Sequence, residues 1–281
     1  MKVMNLGELV HLLGDGKQYH ICIHDLSGLL EYESYQIGSP YEYHSRDICN
    51  AAKTTSKGMQ LCLACKYLAL EKAIETKESY HGACPLGVYE VVTPVVIEGK
   101  VVCVIFIGNL HYRQRDLAKD IHRTVKFTKV DEHLLLEEAK HLCPVEHLEP
   151  LTQMAELISS YICLLYQTIR IKVHSDTHWA VEALKKYIAQ YYDKDLKLSH
   201  LARLYYLNET YLGRLFKQQE GTTFTNYLNN IRVETACKML KMTDNSILSI
   251  SMAVGFNNVT YFNRVFKKQT GMTPAEYRKT D

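Results

Sequence analysis

The sequence lacks a long hydrophobic run. The longest one, residues 101–107, has seven residues, whereas a helix that crosses a bilayer needs about 20 apolar residues. The first residues include Lys2 and Glu8 but no apolar core of a signal peptide, so no secretory signal is predicted. The chain also has no phosphate-binding glycine loop, nucleophile elbow or carboxylate pair in a catalytic context. These absences argue against an enzyme, and an enzyme with a second domain fused to it is kept as an alternative.

The net charge is also small, only +2 for 281 residues, but it is unevenly distributed. Residues 175–281 carry 15 Lys and Arg against 10 Asp and Glu, and residues 1–174 carry 18 against 21. This asymmetry is typical of a polyanion-binding module joined to a second domain. Nine cysteines without a signal peptide favour a reducing, cytoplasmic location over a disulfide framework.

An internal repeat with an offset of 50 residues occupies the C-terminal part. Residues 211–221, YLGRLFKQQEG, align with residues 261–271, YFNRVFKKQTG. Each copy predicts a short helix, a turn and a second helix with exposed basic residues, the pattern of a helix-turn-helix. Residues 223–240 predict a connecting helix of about 27 Å, close to the ~34 Å repeat of the major groove. One chain would then place two recognition helices in successive grooves; a chance repeat in a helical bundle is the alternative.

This region resembles the AraC-type DNA-binding domain, which has two helix-turn-helix units. The matching segments are 211–217 (YLGRLFK), 231–236 (IRVETA), 254–256 (VGF) and 261–278 (YFNRVFKKQTGMTPAEYR). Tyr206 stands where the family usually has glycine, and Ser251 stands where a small alanine is usual. The resemblance implies a transcription regulator whose partners are double-stranded DNA and RNA polymerase.

Candidate DNA contacts follow from the position of each residue on its recognition helix. The start of such a helix faces base edges, and later basic residues meet phosphates. Arg can read guanine and Asn can read adenine, whereas Gly213 would only permit close approach. Plain solvent exposure is the alternative for each polar residue. The predicted contacts are Glu209, Thr210, Gly213, Arg214 and Lys217 in the first unit, and Asn258, Thr260, Asn263, Arg264, Lys267 and Lys268 in the second.

Residues 1–143 predict an α+β domain, an antiparallel sheet with helices on one side. Strands are predicted at residues 19–25, 79–84, 88–97 and 101–110, with 29–35 as a hairpin partner of the first. Helices are predicted at residues 5–14, 46–53, 58–76, 112–125 and 131–142.

Four cysteines of this domain form a candidate metal site. Cys62 and Cys65 make a C-x-x-C inside a predicted helix, so both thiols share one face, and Cys49 and Cys84 complete the set. Four thiolates can hold zinc or an iron–sulfur cluster, which would make the domain a metal or redox sensor. The alternative is that these cysteines pack as small hydrophobic residues.

Residues 5–125 also resemble the PocR-type sensory domain. The resemblance rests on the order of 62–66 (CLACK), 80–87 (YHGACPLG), 93–99 (TPVVIEG) and 106–109 (FIGN), with Asn109 where glutamine is expected. It implies a PAS-like fold that senses small metabolites such as short diols. A ligand pocket is then expected between the sheet and the cysteine-bearing helix. Its candidate lining residues are Tyr80, His81, Cys84 and Tyr89, for which ordinary packing is the alternative.

Residues 144–174 predict a connector helix. Apolar residues recur there at alternating spacings of three and four, which is a heptad seam. This seam favours a coiled coil that makes a homodimer; a helix packed on the sensor's own sheet is the alternative. Ser175 and Asp176 would cap the first helix of the DNA-binding domain. The seam residues are Leu148, Leu151, Ala155, Ile158, Ile162, Leu165 and Ile169.

Together these patterns predict a three-part chain: a PAS-like sensor (residues 1–143), a coiled-coil connector (144–174) and an all-α double helix-turn-helix domain (175–281). The predicted function is a cytoplasmic transcription activator controlled by a small-molecule effector. The alternative keeps the DNA-binding role and makes the sensor respond to a metal or to redox state.

Overall fold

The computed structural model describes residues 4–44, 46–169 and 178–280, and it divides the chain into two compact units. The first unit extends to Trp179 and includes residues 204–206; the second comprises residues 180–203 and those from Leu207 onward. The predicted cap at Ser175 and Asp176 lies outside the described residues. No described helix is both long and apolar enough to cross a membrane.

The first unit combines six α-helices with one sheet among its described residues. The helices are α1 (Leu6–Gly14), α2 (Asp47–Ala52), α3 (Ser56–Thr76), α4 (Leu117–Thr128), α5 (Glu132–Ala139) and α6 (Glu149–Ile169). The strands are β1 (His20–Asp25), β2 (Tyr80–Ala83), β3 (Tyr89–Ile97), β4 (Lys100–Tyr112) and β5 (Cys143–Val145).

The sheet has the order β1-β4-β3-β2 with antiparallel neighbours, and β5 adds to β4 in parallel. A tight turn joins β3 to β4. Glu98 (φ 49°) and Gly99 (φ 77°) both adopt left-handed backbone conformations, as a two-residue hairpin turn of the favoured twist requires. The antiparallel part of the fold is therefore as predicted, and the short parallel strand is an addition.

Helices cover both faces of the sheet, so the prediction of helices on one side is wrong. Side chains alternate along a strand, and Ile21 and Ile105 belong to the core cluster that includes α1 and α6. On the opposite face Lys66 of α3 lies 5.6 Å from the ring centroid of Phe106 in β4. The sheet thus separates an apolar core from a more polar layer under α3.

The predicted hairpin partner of β1 is also wrong. Residues Leu29–Glu31 and Glu33–Tyr35 form two short 3-10 helices instead. The half-buried carboxylate of Asp25 accepts hydrogen bonds from the backbone amides of residues 27–30 at 2.9–3.2 Å, which turns the chain immediately after β1. An acidic side chain that bonds to nearby backbone amides competes with strand pairing in this way. The end of β4 also differs from the prediction. The strand runs to Tyr112 and not only to residue 110, and α4 begins at Leu117 and not at residue 112.

The heptad seam of α6 packs on the unit's own sheet, mainly on β3. The predicted coiled-coil seam is therefore wrong, because its residues are already covered within one chain; the alternative, a helix packed on the sheet, is correct. The side chain of Ile169 is not among those described. The buried seam residues are Leu148, Leu151, Ala155, Ile158, Ile162 and Leu165.

The described part of the second unit is entirely helical. Its helices are α7 (His178–Tyr191), α8 (Leu198–Leu204), α9 (Glu209–Glu220), α10 (Phe224–Met242), α11 (Ile247–Ala253), α12 (Val259–Thr270) and α13 (Pro274–Arg278). The predicted pair of helix-turn-helix units, α8–α9 and α11–α12, is confirmed. The connecting helix α10 has 19 residues, or about 28 Å at 1.5 Å per residue. A cluster around Phe256, Phe262 and Phe266 forms the core of the second copy.

Candidate DNA-binding surface and ligand pocket

Side-chain caps set the first turn of each recognition helix. Asn208 accepts hydrogen bonds from the amides of Thr210 (2.9 Å) and Tyr211 (3.2 Å) at the start of α9. Asn258 accepts one from the amide of Tyr261 (2.8 Å) at the start of α12. Capping by Asn fixes where a helix begins, because its side chain satisfies amides that have no partner within the helix. The sequence repeat therefore also holds at the level of hydrogen bonds.

The polar residues predicted to contact DNA are solvent-exposed in both recognition helices. Each helix buries apolar residues, such as Leu212 and Phe216 in α9, and presents its polar face outward. Asn258 uses its carbonyl oxygen for the cap, which leaves its NH₂ group for other contacts. The exposed residues are Glu209, Thr210, Arg214, Lys217, Asn258, Thr260, Asn263, Arg264, Lys267 and Lys268.

Gly213, the remaining residue of that set, is half-buried and faces a neighbouring helix. A Cβ atom added there would lie 3.2 Å from Cδ2 of Leu198 in α8, closer than ordinary van der Waals contact. The glycine thus allows α9 to pack closely on α8 within the first helix-turn-helix. The predicted close approach of this glycine to DNA stays a prediction, and within the chain its close neighbour is α8.

The turn of each helix-turn-helix contains one residue with a left-handed backbone. Gly255 has φ 93° in the second copy, and Tyr206 has φ 54° in the first. Because Cβ disfavours this conformation, glycine is the usual residue there. The structure therefore gives the physical meaning of the departure at Tyr206: a tyrosine adopts the conformation that the family assigns to glycine.

A cavity of about 80 Å³ lies between the sheet and α3, where the sequence predicts a pocket. Its apolar walls come from α2, the loop before β3, and α4 with the segment that follows it. They include Ile48, Leu86, Val88 and Val130. Because a water-sized position needs about 10–15 Å³, this volume holds roughly five to eight non-hydrogen atoms. The cavity therefore fits a small molecule.

One part of the cavity lining is polar. His20 and Glu90 come from the sheet, His44 from the loop before α2, and Lys66 from α3. Nε2 of His20 lies 2.7 Å from the carbonyl oxygen of Tyr43, so this nitrogen donates and Nδ1 is left as an acceptor. Burial lowers the pKa of His20 to about 4 and holds the pKa of His44 well below its usual range, so both imidazoles are neutral at pH 7.

Glu90 is the acidic group of this lining. Burial raises its pKa to about 7, against the opposing effect of the Lys66 ammonium. Its Oε2 atom lies 3.8 Å from Nδ1 of His44. Sequence reasoning missed His20, His44, Lys66 and Glu90 as pocket residues. A sequence signal for these residues was available. His20 and Cys22 alternate with Ile21 and Ile23 along β1, and this alternation indicates a second, partly polar face of the strand.

The four cysteines of the candidate metal site all line this cavity. Desolvation raises the pKa of Cys49 and Cys65 to about 12 and holds that of Cys84 well above its usual range, so these thiols are protonated at pH 7. Within the described ranges, three ligand atoms lie within 4.8 Å of one another at Asp47, Glu138 and His141, and no such group forms among the cysteines. The four cysteines therefore form a thiol-rich wall of the cavity.

Of the predicted lining residues, only Cys84 borders the cavity. The Tyr80 hydroxyl donates to the carbonyl oxygen of Ala69 (2.7 Å), which fastens β2 to α3. His81 is exposed, and the Tyr89 ring packs against Tyr112 with centroids 5.3 Å apart. The cavity lies where the PocR-type resemblance implies a pocket, whereas Tyr80, His81 and Tyr89 lie outside its lining.

Glu90 should make the stability of the protein depend on pH. Its pKa of about 7 in the folded chain exceeds the value near 4.3 of an unfolded chain, so the folded state retains the proton and loses stability as pH rises from about 4.5 through 7. The full loss is about 4 kcal/mol. Glu90→Gln should match the wild type in thermal midpoint near pH 4.5 and exceed it at pH 8.

The exposed Glu75 provides the control for that comparison. The difference in thermal midpoint between Glu75→Gln and the wild type should be the same at pH 4.5 and at pH 8. Lys66, Arg46, His20 and His44 line the same cavity as Glu90 and are present in both proteins, so the comparison isolates the carboxyl group. An equal pH dependence in wild type and Glu90→Gln would contradict the assignment.

Two family models match this chain. Residues 24–168, over half of the chain, match the model described as "Sensory domain found in PocR". Residues 201–280 match the model described as "Helix-turn-helix domain". The first match extends beyond the 5–125 region of the sequence resemblance and includes most of α6.

Similar curated proteins match part of the chain. The HTH-type transcriptional regulator YijO of Escherichia coli K12 is 34% identical over 110 residues, which is 39% of each chain. The bifunctional transcriptional activator/DNA repair enzyme AdaA of Bacillus subtilis is 36% identical over 104 residues, 37% of this chain and 49% of that protein. The chain thus covers less than half the length of these relatives.

The solved structures described next match about a third of the chain. A protein from Listeria innocua is 36% identical with a TM-score of 0.34, and the match covers 35% of this chain and 94% of that one. The C-terminal domain of the response regulator yesN from Fusobacterium nucleatum is 35% identical with a TM-score of 0.34, covering 36% and 98%. Because it contains both matched domains and a pair of helix-turn-helix units, the chain belongs to the AraC-type transcription regulators that carry a PocR sensory domain.

Proposed function

We propose that this regulator binds a small, uncharged, polar molecule in the cavity under α3, and that the ligand controls sequence-specific DNA binding by α9 and α12. The observation that carries the proposal is the cavity itself, a polar group of side chains within otherwise apolar and thiol-lined walls. Small-molecule sites have this composition, in which a few polar groups orient the ligand.

The charges at the cavity favour a neutral ligand. Lys66 and Arg46 supply positive charge, Glu90 supplies negative charge when it is ionised, and the two histidines are neutral at pH 7. An ion of either sign would meet at least one like charge in the lining, whereas a hydroxyl group can both donate and accept. Together with the small volume, this favours short alcohols and diols, which the resemblance to the PocR-type domain also implies.

Filling the cavity should abolish ligand binding. Ala52 is buried in the wall, and Ala52→Leu adds three carbon atoms to a space of about 80 Å³. Propane-1,2-diol should raise the thermal midpoint of the wild type, because a ligand that binds only the folded state stabilises it. The diol should leave the thermal midpoint of Ala52→Leu unchanged, because the affinity of this variant for the diol should be at least about tenfold (~1.4 kcal/mol) weaker.

The matched control is Ala64→Leu, at an exposed position of α3. This variant should respond to the diol as the wild type does. If short alcohols and diols leave the wild-type midpoint unchanged, the proposed ligand class is wrong. An unchanged response in Ala52→Leu would place the ligand elsewhere.

Arg264 should provide much of the sequence-specific DNA binding by the second helix-turn-helix, α11–α12. It is exposed on α12 and can bond two acceptors of a guanine at once. Arg264→Ala should weaken binding to a duplex selected from a random library by roughly 1–3 kcal/mol. Lys238→Ala, an exposed basic position on α10, should bind as the wild type does in the same fluorescence anisotropy titration. Equal affinities of wild type and Arg264→Ala would exclude Arg264 as a base contact.

The proposed sign of regulation is activation in the cytoplasm through contact with RNA polymerase, supported by the name of AdaA as a transcriptional activator. The predicted homodimer remains a prediction, and it needs a surface other than the buried seam of α6. The location of α6 on the sheet further supports a sensory domain that extends to residue 169.

A further inference from the structure

Tyr261 is fixed between α12 and the connecting helix α10. Nδ2 of Asn229, a residue that is only 4% exposed, donates a hydrogen bond of 3.0 Å to the Tyr261 hydroxyl. The Tyr261 ring also packs near the buried ring of Phe256, with centroids 5.9 Å apart. A buried donor and a buried ring thus hold a tyrosine whose remaining surface is exposed.

The exposed part of that ring lies against Arg264. The guanidinium carbon is 5.2 Å from the ring centroid, within the range of a cation–π contact. The two residues are three positions apart, which places them side by side on the surface of the helix. The long side chain of an exposed arginine is thus held in one orientation on α12.

A second contact holds the far end of the same helix. Nε2 of Gln269 donates to Oδ1 of Asn230 at 2.6 Å, so α12 is fastened to α10 at both ends. Asn229 and Asn230 are adjacent on α10, and both bond to α12. The ring under Arg264 is therefore positioned by the connecting helix as well as by its own.

We propose that Tyr261 is a positioning residue that holds Arg264 ready for DNA, with Asn229 as its buried anchor. The inference rests on the proposed role of Arg264 in reading DNA. A free arginine loses much rotamer freedom when it binds, and a side chain ordered beforehand avoids that loss. Tyr261 therefore increases the affinity of Arg264 for its base without itself contacting that base.

A double-mutant cycle with Tyr261→Leu and Arg264→Ala tests the proposal on the selected duplex. Tyr261→Leu alone should weaken binding by about fivefold, the upper end for an exposed cation–π contact. In the Arg264→Ala background the same substitution should change affinity by less than about 1.5-fold, because coupled residues do not act additively. Tyr261→Phe, which keeps the ring and loses the anchor to Asn229, should fall between wild type and Tyr261→Leu.

A spectroscopic readout separates positioning from a general effect on the fold. The Nε–H order parameter of Arg264 in the DNA-free protein should fall in Tyr261→Leu, while circular dichroism stays unchanged. An equal effect of Tyr261→Leu in both backgrounds, or an unchanged order parameter, overturns the proposal alone. Wild-type affinity in Arg264→Ala overturns the DNA-reading role on which it rests.

Discussion

Ile158→Ala is expected to destabilise the sensory unit by about 2–5 kcal/mol, the usual cost of deleting a fully buried large aliphatic side chain. Ile158 is 0% exposed and belongs to the cluster that joins α6 to the sheet. Hydrogen exchange of the β3 and β4 amides measures this loss in the intact chain, since local opening free energies are read separately for each element.

Leu157→Ala is the control, because the adjacent residue is 56% exposed on the outer side of the same helix. Its effect should stay within about 0.5 kcal/mol, as for an ordinary surface position. The loss in Ile158→Ala should also be the same at 1 and 100 µM protein, roughly a hundredfold range over which a dimer linked through this seam would show mass-action dependence. Dependence on concentration in that range would restore the coiled coil.

The contrast at α6 shows what a heptad pattern can and cannot predict. Spacings of three and four place Leu151, Ile158 and Leu165 on one stripe, and the structure confirms that the stripe is buried. The same spacing serves a sheet or a second helix, because both accept an apolar stripe of similar width. Which partner covers it depends on contacts between distant residues, and the local pattern carries no information about them.

The candidate sites divide in the same way. The pair of helix-turn-helix units was predictable because the repeat is local, as the caps at Asn208 and Asn258 show. The DNA contacts of these units stay a prediction. The ligand pocket gathers His20, His44 and Glu90 from segments that are far apart in sequence. Its thiol wall was visible in the C-x-x-C motif, whereas its polar residues became apparent only with the strand register.

Within the DNA-binding unit, Gly255 is the glycine at which an added methyl group should destabilise the fold most. Its φ of 93° is unfavourable for any residue with a Cβ atom. A Cβ there would also lie 2.8 Å from three backbone atoms of Asp193. The Arg232 guanidinium holds that loop in place by donating to the carbonyl oxygens of Tyr192 (2.7 Å) and Lys194 (2.8 Å), so the backbone cannot move aside without losing buried hydrogen bonds.

Gly255→Ala should therefore lower the free energy of unfolding of α11 and α12 by about 3 kcal/mol or more, combining backbone strain with overpacking. Gly271→Ala separates the two causes: this glycine has a similar φ of 80°, and nothing lies within 4 Å of an added Cβ. It should cost only about 1 kcal/mol, the strain of a left-handed alanine. Hydrogen exchange of α11 and α12 measures both. Equal losses in the two variants would show that strain alone requires glycine, and that the contact with Asp193 adjusts freely.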